Sequence, residues 1–217
     1  MKNATLRDLN YILQKAGMPI IRGFIWQLLR FRIPNLLMLG SNIQFITTSN
    51  CHFGKKVFIG SNSYIETGAK QGVYIGDRVT IRENAWLQCR SGLAPSGEGL
   101  SIGDKTYIGP RAVIGVGGYI SIGKSCQIGA GLTLSAQSHE ADANHSYVTG
   151  KTSQKGIQIK DNCWFGNNVS ILDGITVGEG CVIGANSLIT KNVPANSVAY
   201  GVPAKVIREK SESKTPS

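Results

Sequence analysis

The chain has 217 residues, 27 of them glycine, and a formal net charge of +10. That length suits one domain with short appendages, and the glycines follow no Gly-X-Y period and no proline-rich tract, which excludes collagen and low-complexity sequence. The odd count of five cysteines argues against a disulfide framework, while the charge favours an anionic partner or a solvated basic surface.

Residues 1–38 carry no short repeat. Ile20, Ile21, Phe24, Ile25, Leu28 and Leu29 fall on one helical stripe. Lys2, Arg7, Lys15, Arg22, Arg30 and Arg32 stand against Asp8, a net +5. A basic amphipathic helix of this kind can lie on an anionic membrane surface, here through residues 1–32. The same stripe also fits a cap over the open end of the domain that follows, whose strand edges would otherwise be unpaired. Met1–Ala16 has no apolar stretch followed by a small-residue cleavage site. No apolar run reaches the ~18 residues of a spanning helix. The expected location is cytoplasmic, peripheral at most to the inner face of the membrane.

Beyond this segment one apolar residue recurs every six positions, usually followed by glycine. Ile102, Ile108 and Ile114 form one set, and Ile122, Ile128 and Leu134 the next. Ile159, Phe165 and Ile171 follow, then Val177, Ile183 and Ile189. Three hexads make eighteen residues, and Ile159–Val177, Phe165–Ile183 and Ile171–Ile189 are each eighteen apart. The pattern predicts an all-β fold: a parallel β-helix of triangular coils, each side pointing one apolar residue inward and each coil stacking on the last. Cys163 and Cys181, one coil apart in the small-residue slot, read as stacked core thiols.

Departures from this register mark insertions. Ile81 to Ile108 spans 27 residues, placing nine extra near Ser91–Gly99. Ile108 to Ile128 spans 20, a two-residue bulge near Val116–Tyr119. Ile128 to Phe165 spans 37, so nineteen extra residues lie between Leu134 and Ile157, with His139 and His145 among them. A loop of that length in a compact domain is functional or disordered. The predicted organisation is a helical segment 1–38, a β-helix 39–200 with a protruding loop 135–157, a basic segment 201–210, and a disordered polar tail 211–217.

Several stretches carry a family resemblance: the histidine loop, CWFGNN, GANSLITKNVPANS and GVPAKVIR. Together they resemble the hexapeptide-repeat O-acetyltransferases that act on maltose, galactosides and nodulation factors. The likeness covers about Phe53–Arg208 and is strongest over Ile159–Arg208. The length and basic N-terminal segment are similar to relatives that acetylate capsule, lipopolysaccharide or exopolysaccharide sugars. The resemblance implies a left-handed coil, where the general crossover rule would give a right-handed one. It also implies acetyl-CoA as acyl donor, a sugar or polysaccharide acceptor, a homotrimer with sites between subunits, and no metal.

In that family a histidine follows the coil before the long loop, which here is His139. A sugar hydroxyl is a poor nucleophile, and a neutral imidazole can take its proton as it attacks a thioester. The developing oxyanion needs donors, which backbone N–H groups can supply. His145 and Glu140 match no family role. Cofactor-binding positions carried over from the resemblance are Trp164, Asn167, Ala185, Thr190, Lys205 and Arg208, with Trp164 outside the coil and the last two facing phosphates. The Asn that orients the acceptor in some relatives falls on Gly109 here, so the acceptor side departs from the family pattern.

Other readings compete. A carbonic anhydrase on this fold needs three histidines at one metal, but His52 lies about four coils from His139. A nucleic-acid protein would interleave aromatic and basic residues, which this chain does not. Closer rivals are N-acetylation of an amino sugar nucleotide, acetylation of a xenobiotic, and a non-enzymatic β-helical scaffold without coenzyme A affinity.

Overall fold

A six-residue unit closes one side of a triangle when two or three residues run extended and the rest turn. The structure, a computed structural model, describes residues 13, 17–89, 97–147 and 150–209. The tail 211–217, Lys210, Lys2, Arg7, Asp8, Lys15 and most of the insertion near Ser91–Gly99 lie outside the described residues. Short parallel strands build three walls of a β-helix. The first wall starts at Met38–Leu39, the second at Gln44–Ile46 and the third at Cys51–Phe53. Each chain turn adds one strand to each wall. The eighteen-residue pairs stack as the spacing requires: Ile159 on Val177, Phe165 on Ile183 and Ile171 on Ile189.

The core is the column of inward apolar side chains, from Leu37 and Leu39 through Ile59, Ile81, Ile108, Ile128 and Phe165 to Ile183. Two of the three corners are four residues long wherever two strands flank them. Gly40–Ile43 and Gly166–Val169 are first-to-second examples; Gly54–Val57 and Lys160–Cys163 are third-to-first ones. The third residue of each such corner takes the left-handed conformation, as at Asn62, Asn84, Asn168 and Asn186. A short side chain that bonds locally tolerates that region, which explains the recurrent Asn. The second-to-third corner obeys no such rule. It has four residues at Thr47–Asn50, eleven from Cys89 to Gly99, and 21 from Ala136 to Gly156.

The thiols fill the third-to-first corner. Thr106 Oγ1 donates to the Gly123 carbonyl at 2.7 Å, Cys126 Sγ to Lys160 at 3.3 Å, Cys163 Sγ to Gly178 at 3.1 Å and Cys181 Sγ to Pro194 at 2.9 Å. Cys163 and Cys181 are thus stacked core thiols, in a column that continues to Cys126.

Helix α1, Met18–Leu28, closes the first end. It packs through Pro19, Gly23 and Gln27, and a Cβ on Gly23 would lie 1.8 Å from the Leu37 carbonyl oxygen. Trp26 packs on Phe45 and Phe53, with ring centroids 4.8 and 5.9 Å away. Gln27 Nε2 donates to Asn35 Oδ1 at 2.7 Å. Arg32 bonds the carbonyls of Cys51 and Thr48. The helix is a cap, but the expected stripe does not make it: Ile21, Phe24, Ile25, Leu28 and Leu29 are exposed. Small and amide residues let the two backbones approach, so the polar-looking face is the buried one. At the other end, Ala204–Glu209 folds back antiparallel on Ser197–Gly201 and ends the first wall.

Candidate active site

The coil is interrupted after Leu134. Ser138–His139 leaves the second wall and pairs antiparallel with Thr152–Ser153. Glu140 N extends this ribbon by donating to Lys151 O at 2.8 Å. The ribbon borders a groove of about 730 Å³ on the outer face of the second wall. His139 lines it together with Trp86, Gln88, Val113, Gly115 and Gln154. All three register departures border this groove, through Gly97, Val116 and Thr152.

His139 is exposed, and its Nε2 lies 3.3 Å from the Gln137 amide Nε2. Gln137, two residues earlier in the chain, thus lies beside the ring. The residues described along the groove include no Lys, Arg, Asp or Glu. Cys89 is the thiol in its lining; burial pushes it up to about 12, aided by the Glu66 charge. It stays protonated and is no nucleophile at neutral pH. His145 is not among the lining residues and sits in a left-handed turn closed on Asp142, whose carbonyl accepts its N–H at 2.9 Å. His52 stacks on Tyr74 on the third wall of the first coil, four coils from the ribbon that bears His139. Among the described residues no three His, Cys, Asp or Glu side chains converge as a metal site.

A second cleft, about 320 Å³, lies on the first wall. Trp164, Asn167 and Ala185 line it with Tyr107 and Gln127. Trp164 points out of the coil and is exposed. Asn167 Oδ1 accepts the Ala130 N–H at 2.9 Å, so its side chain also fastens two corners together. Along this wall Trp164 pairs with Val182, Val182 with Val198, and Val198 with Arg208. Three such steps put Arg208 about 14 Å from Trp164. Lys205 pairs with Tyr200 on the same exposed hairpin. Thr190 is elsewhere, half-buried at the end of second-wall strand Leu188–Ile189. Within one chain, then, Trp164, Asn167 and Ala185 share a cleft, Lys205 and Arg208 extend its wall, and His139 faces a different wall.

Sequence reasoning missed Gln137, Trp86 and Gly115. Gln137 had a signal, its place two residues before His139. Trp86 and Gly115 had none, because they enter the groove only when coils stack.

Models of the bacterial transferase hexapeptide and of the hexapeptide repeat of succinyl-transferase match residues 156–191, and 53–87 with 99–136, respectively. The unmatched gaps coincide with the two long corners. The galactoside O-acetyltransferase of Escherichia coli is 35% identical over 130 residues, 60% of this chain and 63% of that protein. A Staphylococcus aureus protein, assigned to the acetyltransferases by name, is 53% identical over 53 residues, 24% of this chain and 27% of that one. This chain therefore spans less than two thirds of the length of these relatives. A hexapeptide-repeat acetyltransferase of Vibrio cholerae, solved with acetyl coenzyme A, superposes with a TM-score of 0.51 at 26% identity over 73% of this chain and 70% of that one. With coils, corners and matches in agreement, the chain is built of the bacterial transferase hexapeptide repeat and folds as a left-handed parallel β-helix.

Proposed function

We propose that the protein is an acetyl-CoA-dependent O-acetyltransferase acting on a sugar hydroxyl, with His139 as general base. The observation that carries this reading is the placement of His139 on a ribbon beside a groove whose described lining is rich in hydroxyls and amides. His139 takes the proton of the acceptor hydroxyl, whose oxygen attacks the thioester carbonyl carbon. The tetrahedral adduct collapses with cleavage of the C–S bond, and the imidazolium returns its proton to the departing thiolate. The first-wall cleft fits the donor: Trp164, Asn167 and Ala185 flank the pantetheine arm, and Lys205 and Arg208 meet phosphates. Thr190 belongs to the donor side of a neighbouring copy's site or to none.

Because His139 and the donor cleft occupy different walls, one copy does not complete a site. In a homotrimer each first wall meets the second-wall groove of the next copy, and a heterologous contact of this kind closes into a ring. Light scattering that returns one chain mass under assay conditions overturns this arrangement. Coenzyme A thiol release, followed across sugars, sugar nucleotides and polysaccharides, tests the activity. Release with no acceptor but an amine would favour N-acetylation, and release with none would leave a scaffold.

The setting we propose is bacterial surface polysaccharide synthesis at the inner face of the membrane. The exposed face of α1 supports it, continued by Phe31 and Ile33. From Leu9 to Ile65 the chain has no Asp or Glu and six Lys or Arg. An apolar face in a basic setting suits an anionic bilayer. Flotation with phosphatidylglycerol vesicles should retain the protein, and Phe24→Asp with Leu28→Asp should release it as an intact oligomer. Equal recovery of both proteins would leave the helix as a cap alone.

A further inference from the structure

Of the described glycines, Gly115 is set apart. Every other one either has a positive φ or would bring an added Cβ within 3.0 Å of a neighbouring atom. A Cβ on Gly115 would meet only the Leu134 carbonyl oxygen, at 3.6 Å, and its φ is not in the left-handed region. The fold does not require glycine there. Its position explains the choice, because Gly115 forms part of the groove wall between Gln88 and Ser135 in the register. The missing side chain opens room beside His139.

The adjacent column runs along the same wall and borders the groove through Val113 and Trp86. Val113 pairs with Trp86, and Trp86 with Tyr64. The two rings are stacked, 6.2 Å apart and 21° from parallel, on the outer face of the wall. Trp86 remains 39% exposed. It lies two coils from the strand that leads to His139, about 10 Å at the stacking distance of parallel strands. A flat aromatic face presents its negative quadrupole to the C–H edges of a pyranose ring, while amides and hydroxyls take the sugar hydroxyls. Gln88, Gln137 and Gln154 supply those amides. The lining described has no cation to face a phosphate or carboxylate.

Resting on the reading of His139 as the acceptor-side base, we propose that this groove holds a neutral glycan of several sugar residues. Gly115 makes room for the residue that is acetylated. Trp86, one face of which is backed by Tyr64, stacks a second residue on its free face. The acceptor is thus a chain rather than a free monosaccharide or a nucleotide-linked sugar.

A binding measurement needs no turnover. The protein is applied to an array of neutral and anionic oligosaccharides, from monosaccharide to octasaccharide, with UDP-sugars included. Wild type should retain neutral oligosaccharides about tenfold more tightly than their monosaccharides, the scale of one stacking contact. Trp86→Ala should erase that length preference. Trp86→Phe should keep most of it, and Gly115→Val should block binding. Unchanged acetyl-CoA affinity in each variant shows that the fold survives. No neutral oligosaccharide retained, a preference for UDP-sugars or acidic glycans, or a length preference that survives Trp86→Ala overturns the proposal. Glycan binding without thiol release instead overturns the acetyl-transfer reading and leaves the groove standing.

Discussion

Two corners of the triangular coil are four residues long throughout, and the third varies from four residues to 21. The regular corners carry a left-handed residue followed, at all but Ile43, by a buried side chain, so their length is fixed by the stacking of one coil on another. The irregular corner does not have to match its neighbours, since an insertion there leaves the walls in register. The groove with His139 lies against the irregular corner. The solenoid is therefore regular along two edges and free to vary along the third, where the proposed base lies.

The strongest way to sharpen this contrast is at the irregular corner itself. His139→Ala should lower kcat by about 10²–10⁴, the usual worth of a positioned base, and leave acetyl-CoA affinity unchanged. Steady-state kinetics on the purified oligomer checks it, and near wild-type kcat removes the histidine from the mechanism. Next comes the regular scaffold. Ile171→Ala empties a buried position in the second wall and should cost about 2–5 kcal/mol in urea unfolding, with little change in kcat at temperatures where the protein stays folded. On the donor wall, Lys205→Ala and Arg208→Ala should each raise the acetyl-CoA KM. One charge-assisted contact is worth at most about 1.5–3 kcal/mol, and less on an exposed hairpin. An unchanged KM in the double variant would falsify the phosphate role. Smallest is Asn84→Val at a regular corner, where φ is 60°. A branched side chain in that region costs about 1–2 kcal/mol, read as a lower unfolding midpoint with activity intact.

The walls were legible in the sequence because each hexad states its own period. Ile159, Phe165 and Ile171 found their partners by counting alone. The insertions were legible as arithmetic, and His139 through its family motif. What could not be read was which outward-facing residues the stacking brings together. Gly115 looks like every other Ile-Gly in the repeat, and only the space around its missing Cβ distinguishes it. Trp86 and Tyr64 are 22 residues apart in the chain and adjacent in the wall. Helix α1 misled in a different way. Its apolar stripe predicted which face would pack, whereas close backbone approach at Gly23 and the amide bond of Gln27 to Asn35 selected another.

The stack also behaves as a graduated scale. Each coil advances the chain by one strand spacing, about 4.8 Å, and neither end can slip, since α1 blocks one and the reversed strand Ala204–Glu209 blocks the other. The ribbon that bears His139 leaves the fifth coil, so its height above the first coil is set in whole steps, four of them, or about 19 Å. Inserting one coil between the first and the second would change that height by a single graduation and leave the residues that line both clefts in place. Reach, in this architecture, is inherited as an integer.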